Sequence, residues 1–374
     1  MAAVRLAALR EAKKAERRVA IVPEVATRLI RDGLEVLVEA GAGARAFFPD
    51  QAYADVGVTM TTRAQALASA NIVAVVNPPD AELIGALRPG QVIVGLLGSR
   101  TDSSIATAIA ATGATALDLA FLPRTLSRTQ TMDALSSQAS VAGYRAGILA
   151  AEAFARYLPM MITAAGTAKP AKLMVLGTGV AGLQAIGTAK RLGAVVTGYD
   201  VRPASRTEVE SLGATFLAPA GLADGAGEGG YARELTPEEQ AAQRAELNDY
   251  IVAQDIVITT AQVPGRKPPV LVTADTVERM KPGSVIVDLG ASALGGNVEG
   301  SVPGETVLTS GGVTILDGSN LAADMPTGAS TAFSRNVMSL LGALVVDGEI
   351  RVDLTDEVLD AIAVAHDGAA RKGA

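Results

Sequence analysis

No cysteine occurs among the 374 residues, and histidine occurs once, as His366 near the C-terminus. Without a thiol there is no disulfide, no thiolate metal site and no cysteine nucleophile. With one histidine, neither a Ser-His-Asp relay nor a multi-histidine zinc site can be assembled within the chain, so no metal ligand set is assigned. His366 is expected as an exposed residue at a fraying helix end. Long apolar runs are also missing. None reaches the roughly 18 residues that a bilayer-spanning helix needs, since Glu152, Arg156 and Asp347 interrupt or end the best stretches. An excess of positive charge is absent as well: the net charge is -7. Nucleic-acid binding requires a basic face, and that class is excluded. The densest basic run, residues 10–18, contains Glu11 and Glu16 and reads as a solvated loop after the first strand. A cysteine-free chain fits a reducing, cytoplasmic setting.

Hydrophobic content of 49% and charged content of 19% are globular values, and the length implies two domains. Residues 4–9, 35–39, 71–76, 91–97 and 115–120 are short Val/Ile/Leu-type runs, as expected of parallel strands buried on both faces. Helical stretches at residues 24–32, 82–87 and 104–111 alternate with them. Residues 133–157 read as one long helix that tolerates Gly143 and Gly147, each costing about 1 kcal/mol against alanine. Close contact with another helix is the expected reason. A linker follows to residue 171, and strands are expected at 172–177, 194–199, 214–217, 255–260, 284–288 and 313–317. A helix over 327–346 leads to a tail with one short helix and a frayed basic end. The expected fold is α/β: two Rossmann-like domains with parallel sheets, joined by long helices. The first domain covers residues 1–133 and is completed by 321–374, residues 134–171 are linker helix and linker, and 172–320 form the second domain.

The sharpest chemical signal lies at residues 172–183, KLMVLGTGVAGL. Gly177, Gly179 and Gly182 fill a G-x-G-x-x-G frame between a strand and a helix. The first glycine permits the tight turn, the second leaves room for a pyrophosphate, and the third allows close helix–strand packing. The helix N-terminus favours the phosphate charge. Asp200 follows 18 residues after Gly182, at the end of the next strand, where a carboxylate grips the ribose hydroxyls of NAD and repels the extra phosphate of NADP. Arg202 is the one nearby residue that argues for NADP. Residues 221–230 hold five glycines and read as a loop able to close over a ligand.

The chain resembles the NAD(H)-binding component, domain I, of proton-translocating nicotinamide nucleotide transhydrogenases. The resemblance runs from residues 17–23, RRVAIVP, and 35–43, EVLVEAGAG, to about residue 346. Its most specific segment is residues 127–138, SRTQTMDALSSQ, then Gly143, Tyr144 and Arg145. The related alanine dehydrogenases share residues 259–261, 263–265 and 280–288. The resemblance implies that Gln130 positions the two nicotinamides, with Asp133, Ser136 and Arg124 fixing the nicotinamide and its ribose. It also implies nucleotide contacts from Arg128, Ser137, Val180, Ala181, Val201, Arg202, Gly230, Tyr231, Gln243, Thr260, Ala261 and Gln262, with residues 172–320 as the NAD-binding domain and the NAD site in the interdomain cleft. The stretch before Gln130 is one residue longer than the usual family pattern, so Arg124 and Arg128 are rivals for one role. Asp133 and Ser136 are also natural helix caps.

The same resemblance implies direct hydride transfer between NAD(H) here and NADP(H) on a beta subunit, a homodimer of this component, and a separate transmembrane alpha-2 chain that conducts protons. The complex would hold this chain at the inner face of the cell membrane. A soluble alanine dehydrogenase and a non-catalytic NAD(H)-binding regulator are the alternatives. Against the first, the dehydrogenases' histidine falls at Gly98, their lysine is missing from residues 75–78, and the loop 288–296 has no second acid after Asp288.

Overall fold

The computed structural model describes residues 3–218, 235–262 and 266–371. The chain divides into two compact units, Met1–Gln138 with Ala323–Ala374, and Ala139–Ala322.

Six strands open the first unit: β1 (Arg5–Ala8), β2 (Glu35–Glu39), β3 (Thr59–Thr61), β4 (Ile72–Ala74), β5 (Val92–Gly95) and β6 (Thr115–Asp118). They alternate with α1 (Pro23–Arg31), α2 (Asp50–Ala54), α3 (Arg63–Ser69), α4 (Ala81–Gly85) and α5 (Ser104–Ala111). All six strands run parallel in the order β3-β2-β1-β4-β5-β6, which reverses between β1 and β4. The period-2 pleat sends Leu6 and Ala8 into one core with Val25 and Leu29 of α1. Ala7 and Leu9 enter another, with Leu67 of α3 and Ile109 of α5. Both faces are therefore apolar, which explains the unbroken Val/Ile/Leu runs.

Next, α6 (Ala134–Ala153) carries the chain into the second unit. It ends four residues before the expected residue 157. The expected linker contains a two-stranded hairpin, β7 (Met161–Thr163) with β8 (Gly166–Ala168). Seven strands form the main sheet: β9 (Lys172–Leu176), β10 (Val195–Tyr199), β11 (Thr215–Phe216), β12 (Ile256–Thr259), β13 (Val285–Asp288), β14 (Thr306–Leu308) and β15 (Thr314–Asp317). The helices are α7 (Val180–Arg191), α8 (Ser205–Ser211), α9 (Pro237–Val252) and α10 (Ala274–Arg279). The order β11-β10-β9-β12-β13-β15-β14 reverses between β9 and β12, and β14 is the antiparallel edge. Leu173 and Val175 join Ala146 and Ala150 of α6 and Ile186 of α7, whereas Met174 and Leu176 join Leu247 of α9 and Val277 of α10. The two glycines of α6 are explained by α7. A Cβ on Gly143 would lie 2.0 Å from the Ala181 carbonyl oxygen, and one on Gly147 would lie 2.9 Å from Thr188 Cγ2.

The chain then returns to the first unit through α11 (Pro326–Leu344), the hairpin β16 (Val345–Val346) and β17 (Glu349–Ile350), and α12 (Glu357–Ile362). Phe333, Val337, Leu340, Leu341 and Leu344 give α11 a helical stripe buried in the core that holds Leu6 and Ala8. As far as Arg371, the last described residue, the tail is not a frayed end. It forms β18 (Ala363–His366), antiparallel to β6, and β19 (Ala369–Ala370). His366 thus lies on a strand. Its Nδ1 is 2.8 Å from Thr115 Oγ1 and its side chain is 20% exposed, contrary to the expected helix end. Sequence periodicity misses β18 because Ala363, Val364 and Ala365 read equally well as helix or strand.

Candidate functional site

In the second unit, β9 runs into Gly177, whose φ of +93° is open to glycine and strained for other residues. Thr260, directly after β12, closes the turn by donating its hydroxyl to the Gly177 carbonyl at 2.8 Å. The N-cap of α7 is Gly179, which offers no side-chain acceptor, so among the described residues no side chain caps the first amides of the helix. A Cβ on Gly182 would sit 2.0 Å from the Gly177 carbonyl oxygen, so helix and turn touch backbone to backbone. A Cβ on Gly179 meets nothing within 4 Å. The three glycines therefore do different work: turn, open floor and close contact. The turn lies at the reversal of strand order, where the carboxyl ends of β9 and β12 diverge and open α/β sheets bind ligands. The residues present fit a pyrophosphate.

Asp200 follows β10 and is almost fully buried, with its side chain 6% exposed. The Thr178 amide donates to Oδ2 at 2.8 Å, and the Arg202 amide donates to Oδ1 at 2.9 Å. Arg202 also folds back, donating Nε to Oδ1 and a terminal nitrogen to Oδ2, both at 2.9 Å. Burial pushes the Asp200 pKa up, but the Arg202 hydrogen bond and charge and the Thr178 amide outweigh it, and the group lies below its ordinary value. Arg202 is thus the counter-ion of the ribose-binding candidate. Val201 packs partly against the core that holds Tyr199. Asn297 ties the segment after β12 by donating to the Ala261 and Pro269 carbonyls, each at 2.8 Å. Gln262 donates to the Leu289 carbonyl. Thr178 and Asn297 escape sequence reading, because a turn threonine and a loop asparagine carry no local signature.

Asp288, the acid of the loop shared with dehydrogenases, is fully buried. It accepts from Thr259 Oγ1 at 2.8 Å and the Gly290 amide at 2.9 Å, a structural anchor for the turn after β13. Gly230 and Tyr231, and the glycine-rich loop before them, lie outside the described residues. So does the side chain of Gln243, whose backbone belongs to α9.

In the first unit, a 3-10 segment (Ser127–Met132) precedes α6. Thr129 and Met132 are buried, and Gln130 between them is exposed. Among the described residues the Gln130 side chain has no hydrogen-bond partner. Asp133 caps α6 by accepting from the Ser136 amide at 2.8 Å. Its other oxygen accepts from Arg124 Nε at 2.9 Å and Ser136 Oγ at 2.6 Å. Arg124 also donates to Ser136 Oγ at 2.6 Å. Capping and clustering are thus the same arrangement. Arg128 is directed elsewhere: it donates twice to Asp356, the N-cap of α12, at 2.7 and 3.2 Å. Of the two rivals, Arg124 is the one joined to Asp133 and Ser136. Ser137 donates to Asn336 Oδ1 of α11 at 2.6 Å.

The first unit has its own reversal of strand order, between β1 and β4, and side chains of the chain itself fill it. Glu11 follows β1 and accepts from the Val76 and Asn77 amides at 2.7 and 3.2 Å. Asn77 Nδ2 bridges Glu11 Oε2 at 3.3 Å and Glu16 Oε2 at 2.7 Å. Arg18 clasps Glu16 through Nε and a terminal nitrogen, at 2.8 and 2.7 Å, and donates to Gln138 Oε1 at 2.8 Å. The expected solvated loop over residues 10–18 is corrected in part: Arg10 and residues 12–15 are exposed loop, but Glu16 and Arg18 are 3% and 7% exposed. Burial raises the Glu11 pKa to about 7, the amide donors oppose it, and the nearby Glu16 charge adds to the rise. Glu16 goes the other way, because Arg18 more than offsets its burial. Gly98, at the dehydrogenase histidine position, has φ +79°, and a Cβ there would lie 2.7 Å from Pro78 Cγ.

The profile of the alanine dehydrogenase/PNT N-terminal domain matches residues 7–142, and that of the C-terminal domain matches residues 146–373. The chain belongs to the alanine dehydrogenase/PNT family. Within it, NAD(P) transhydrogenase subunit alpha of Cereibacter sphaeroides is 42% identical over 98% of this chain and 71% of that relative. Alanine dehydrogenase of Mycobacterium tuberculosis is more distant, 32% identical over 78% of this chain and 74% of that enzyme. The solved transhydrogenase from Sinorhizobium meliloti superposes with a TM-score of 0.84, at 39% identity and 98% coverage of both chains. This family member therefore stands with the transhydrogenase alpha chains, and its fold is the two-domain Rossmann-like one. No described helix is long and apolar enough to cross a membrane.

Proposed function

We propose that this chain is the NAD(H)-binding component of a proton-translocating NAD(P) transhydrogenase, specific for opposite faces of the two nicotinamides (Re/Si). The bound dinucleotides supply the chemistry, a hydride passing directly between two nicotinamide rings. NADP(H) is the co-substrate, held by a separate beta subunit, and a transmembrane alpha-2 chain couples the exchange to protons. The active form is a homodimer, peripheral on the inner face of the cell membrane through those partners.

Direct hydride transfer moves no proton at the reacting carbons, so this chain needs no general acid or base. Its residues bind, aim and exclude water. The open floor at Gly179 and the uncapped amides of α7 receive the pyrophosphate, and Asp200 receives the adenosine ribose. Arg124, Asp133 and Ser136 hold the nicotinamide side, and the free amide of Gln130 aligns it with the second nucleotide. One observation carries the choice against an amino-acid dehydrogenase. The switch point of the first unit, where a second small substrate could bind, is filled by Glu11, Glu16, Arg18 and Asn77 bonded to one another.

The test uses the purified chain alone and with an NADP(H)-binding component. NADH should quench or enhance its fluorescence on binding in both cases. Hydride exchange from NADH to an NADP analogue should need the partner, and alanine with NAD should give no NADH. Alanine-dependent NADH production, or no exchange with a partner active toward another alpha chain, would overturn the reading.

A further inference from the structure

Gln130 is aimed by its backbone alone. It is exposed, and no side chain of the described residues holds its amide. On its N-terminal side the segment is fixed by Thr129, whose hydroxyl lies 2.7 Å from both the Pro123 and the Leu126 carbonyl oxygens. On its C-terminal side the fixing group comes from far along the chain. Asn336, 7% exposed on α11, donates Nδ2 to the Thr131 carbonyl at 2.8 Å and accepts at Oδ1 from Ser137 Oγ at 2.6 Å. A carbonyl can only accept, so the amide orientation is dictated by its partners. The one side chain thus ties the last turn of the 3-10 segment to the first turn of α6. Gln130 directly precedes the bridged stretch and Asp133 lies within it.

The rest of the cluster braces this bridge. Gln138 Nε2 donates to Ser137 Oγ at 3.2 Å and to the Ala329 carbonyl of α11 at 3.0 Å, and Arg18 holds Gln138 from the other end. The same helix holds the chain after Arg18, with Ser330 Oγ accepting from the Val19 amide at 3.0 Å and Ser334 Oγ from the Val22 amide at 3.1 Å. A buried amide is costly unless both its ends are bonded, and here both are.

We propose that Asn336 is a positioning residue for hydride transfer, acting through Gln130 by fixing the Thr131 carbonyl and the Ser137 hydroxyl. This rests on the functional reading above. The consequence is specific. Loss of the Nδ2 donor frees the peptide next to Gln130 but leaves the nucleotide cradle of the second unit untouched. A displacement on the order of 1 Å at a positioning group costs about 100-fold in rate.

The experiment is a double-mutant cycle in the complete complex, with Asn336→Asp, which replaces the donor by an acceptor at constant size, and Gln130→Ala. Asn336→Asp should slow hydride exchange about 10- to 100-fold and change the NADH Kd less than about 3-fold. In the Gln130→Ala background it should cost less than about 2-fold more, because the residues act as one unit. Asn336→Ser carries the same cycle if Asn336→Asp does not fold. A wild-type rate, a full additional loss without Gln130, or a parallel loss of NADH affinity would each overturn the proposal. So would failure of both variants to fold, which would give Asn336 a role in the fold alone. Failure of the functional reading looks different: the wild-type complex itself would exchange no hydride.

Discussion

Glu11 offers a test of the buried cluster that needs no ligand. Its pKa of about 7 stands against an ordinary value of 4.5. Part of the residue remains accessible, but its carboxyl group is enclosed by Val76, Asn77 and the Glu16 charge. A carboxyl whose folded pKa is raised binds more protons in the folded state than in the unfolded one between the two values. Its contribution to stability is therefore full at low pH and is lost as pH rises from about 4.5 to about 7. At 1.36 kcal/mol per pH unit, the loss between pH 5.5 and 7 is at most roughly 2 kcal/mol. Glu11→Gln removes the charge and keeps the size and an acceptor for the Val76 amide. Unfolding free energies of wild type and variant, measured by denaturant titration from pH 5.5 to 8.5, should diverge with pH. The variant gains on the wild type by about 1–2 kcal/mol across that range, most of it below pH 7.5. Other titrating groups are common to both proteins and cancel in the difference. A difference that does not change with pH would refute the assignment of a buried, proton-binding Glu11.

The nucleotide site yields three more expectations. Gly179→Ala should leave the melting temperature unchanged, because its Cβ meets nothing within 4 Å, yet weaken NADH about 10-fold or more by occupying the phosphate floor; Gly182→Ala, 2.0 Å from the Gly177 carbonyl oxygen, should instead destabilise by about 1–3 kcal/mol in thermal unfolding. Wild-type protein should prefer NADH to NADPH in calorimetry, and Asp200→Asn should narrow that preference by weakening NADH and removing the charge that repels the extra phosphate; an unchanged ratio would remove Asp200 from nucleotide choice. Gln130→Asn shortens the reach by one methylene and should cost about 100-fold in hydride exchange with a partner, with little change in NADH dissociation constant by fluorescence.

Much of this architecture is legible in local sequence. Parallel strands buried on both faces leave continuous apolar runs, and β2 and α5 match the expected residues 35–39 and 104–111 at both ends. The glycine frame is legible because each glycine answers a local need: a positive φ at Gly177 and a backbone contact at Gly182. Asp133 reads from sequence as either cap or site residue, and the structure gives it capping and clustering at once. The edge strand β3 and the tail strands escape such reading, because short stretches such as residues 59–61 and 363–366 have no distinctive period and are chosen by the sheet edges they meet.

What the sequence determined by itself is the set of features whose cause is local: two βαβ units, the dinucleotide turn with its acid, and the absence of thiols, of a second histidine and of an apolar run long enough for a membrane-spanning helix. What only the tertiary structure decided are the pairings between distant residues. Arg124 rather than Arg128 joins Asp133, because α12 presents its capping Asp356 to Arg128 from 228 positions away. Glu16 and Arg18, within the basic run at residues 10–18, became part of a buried polar cluster, because Asn77 and Gln138 reach them from 61 and 120 positions further along the chain. Asn336 holds the residue after Gln130 from 205 positions downstream. No local pattern encodes such partners. A buried polar group must be bonded, but the sequence does not say to whom, and the fold alone brings the donor to the acceptor.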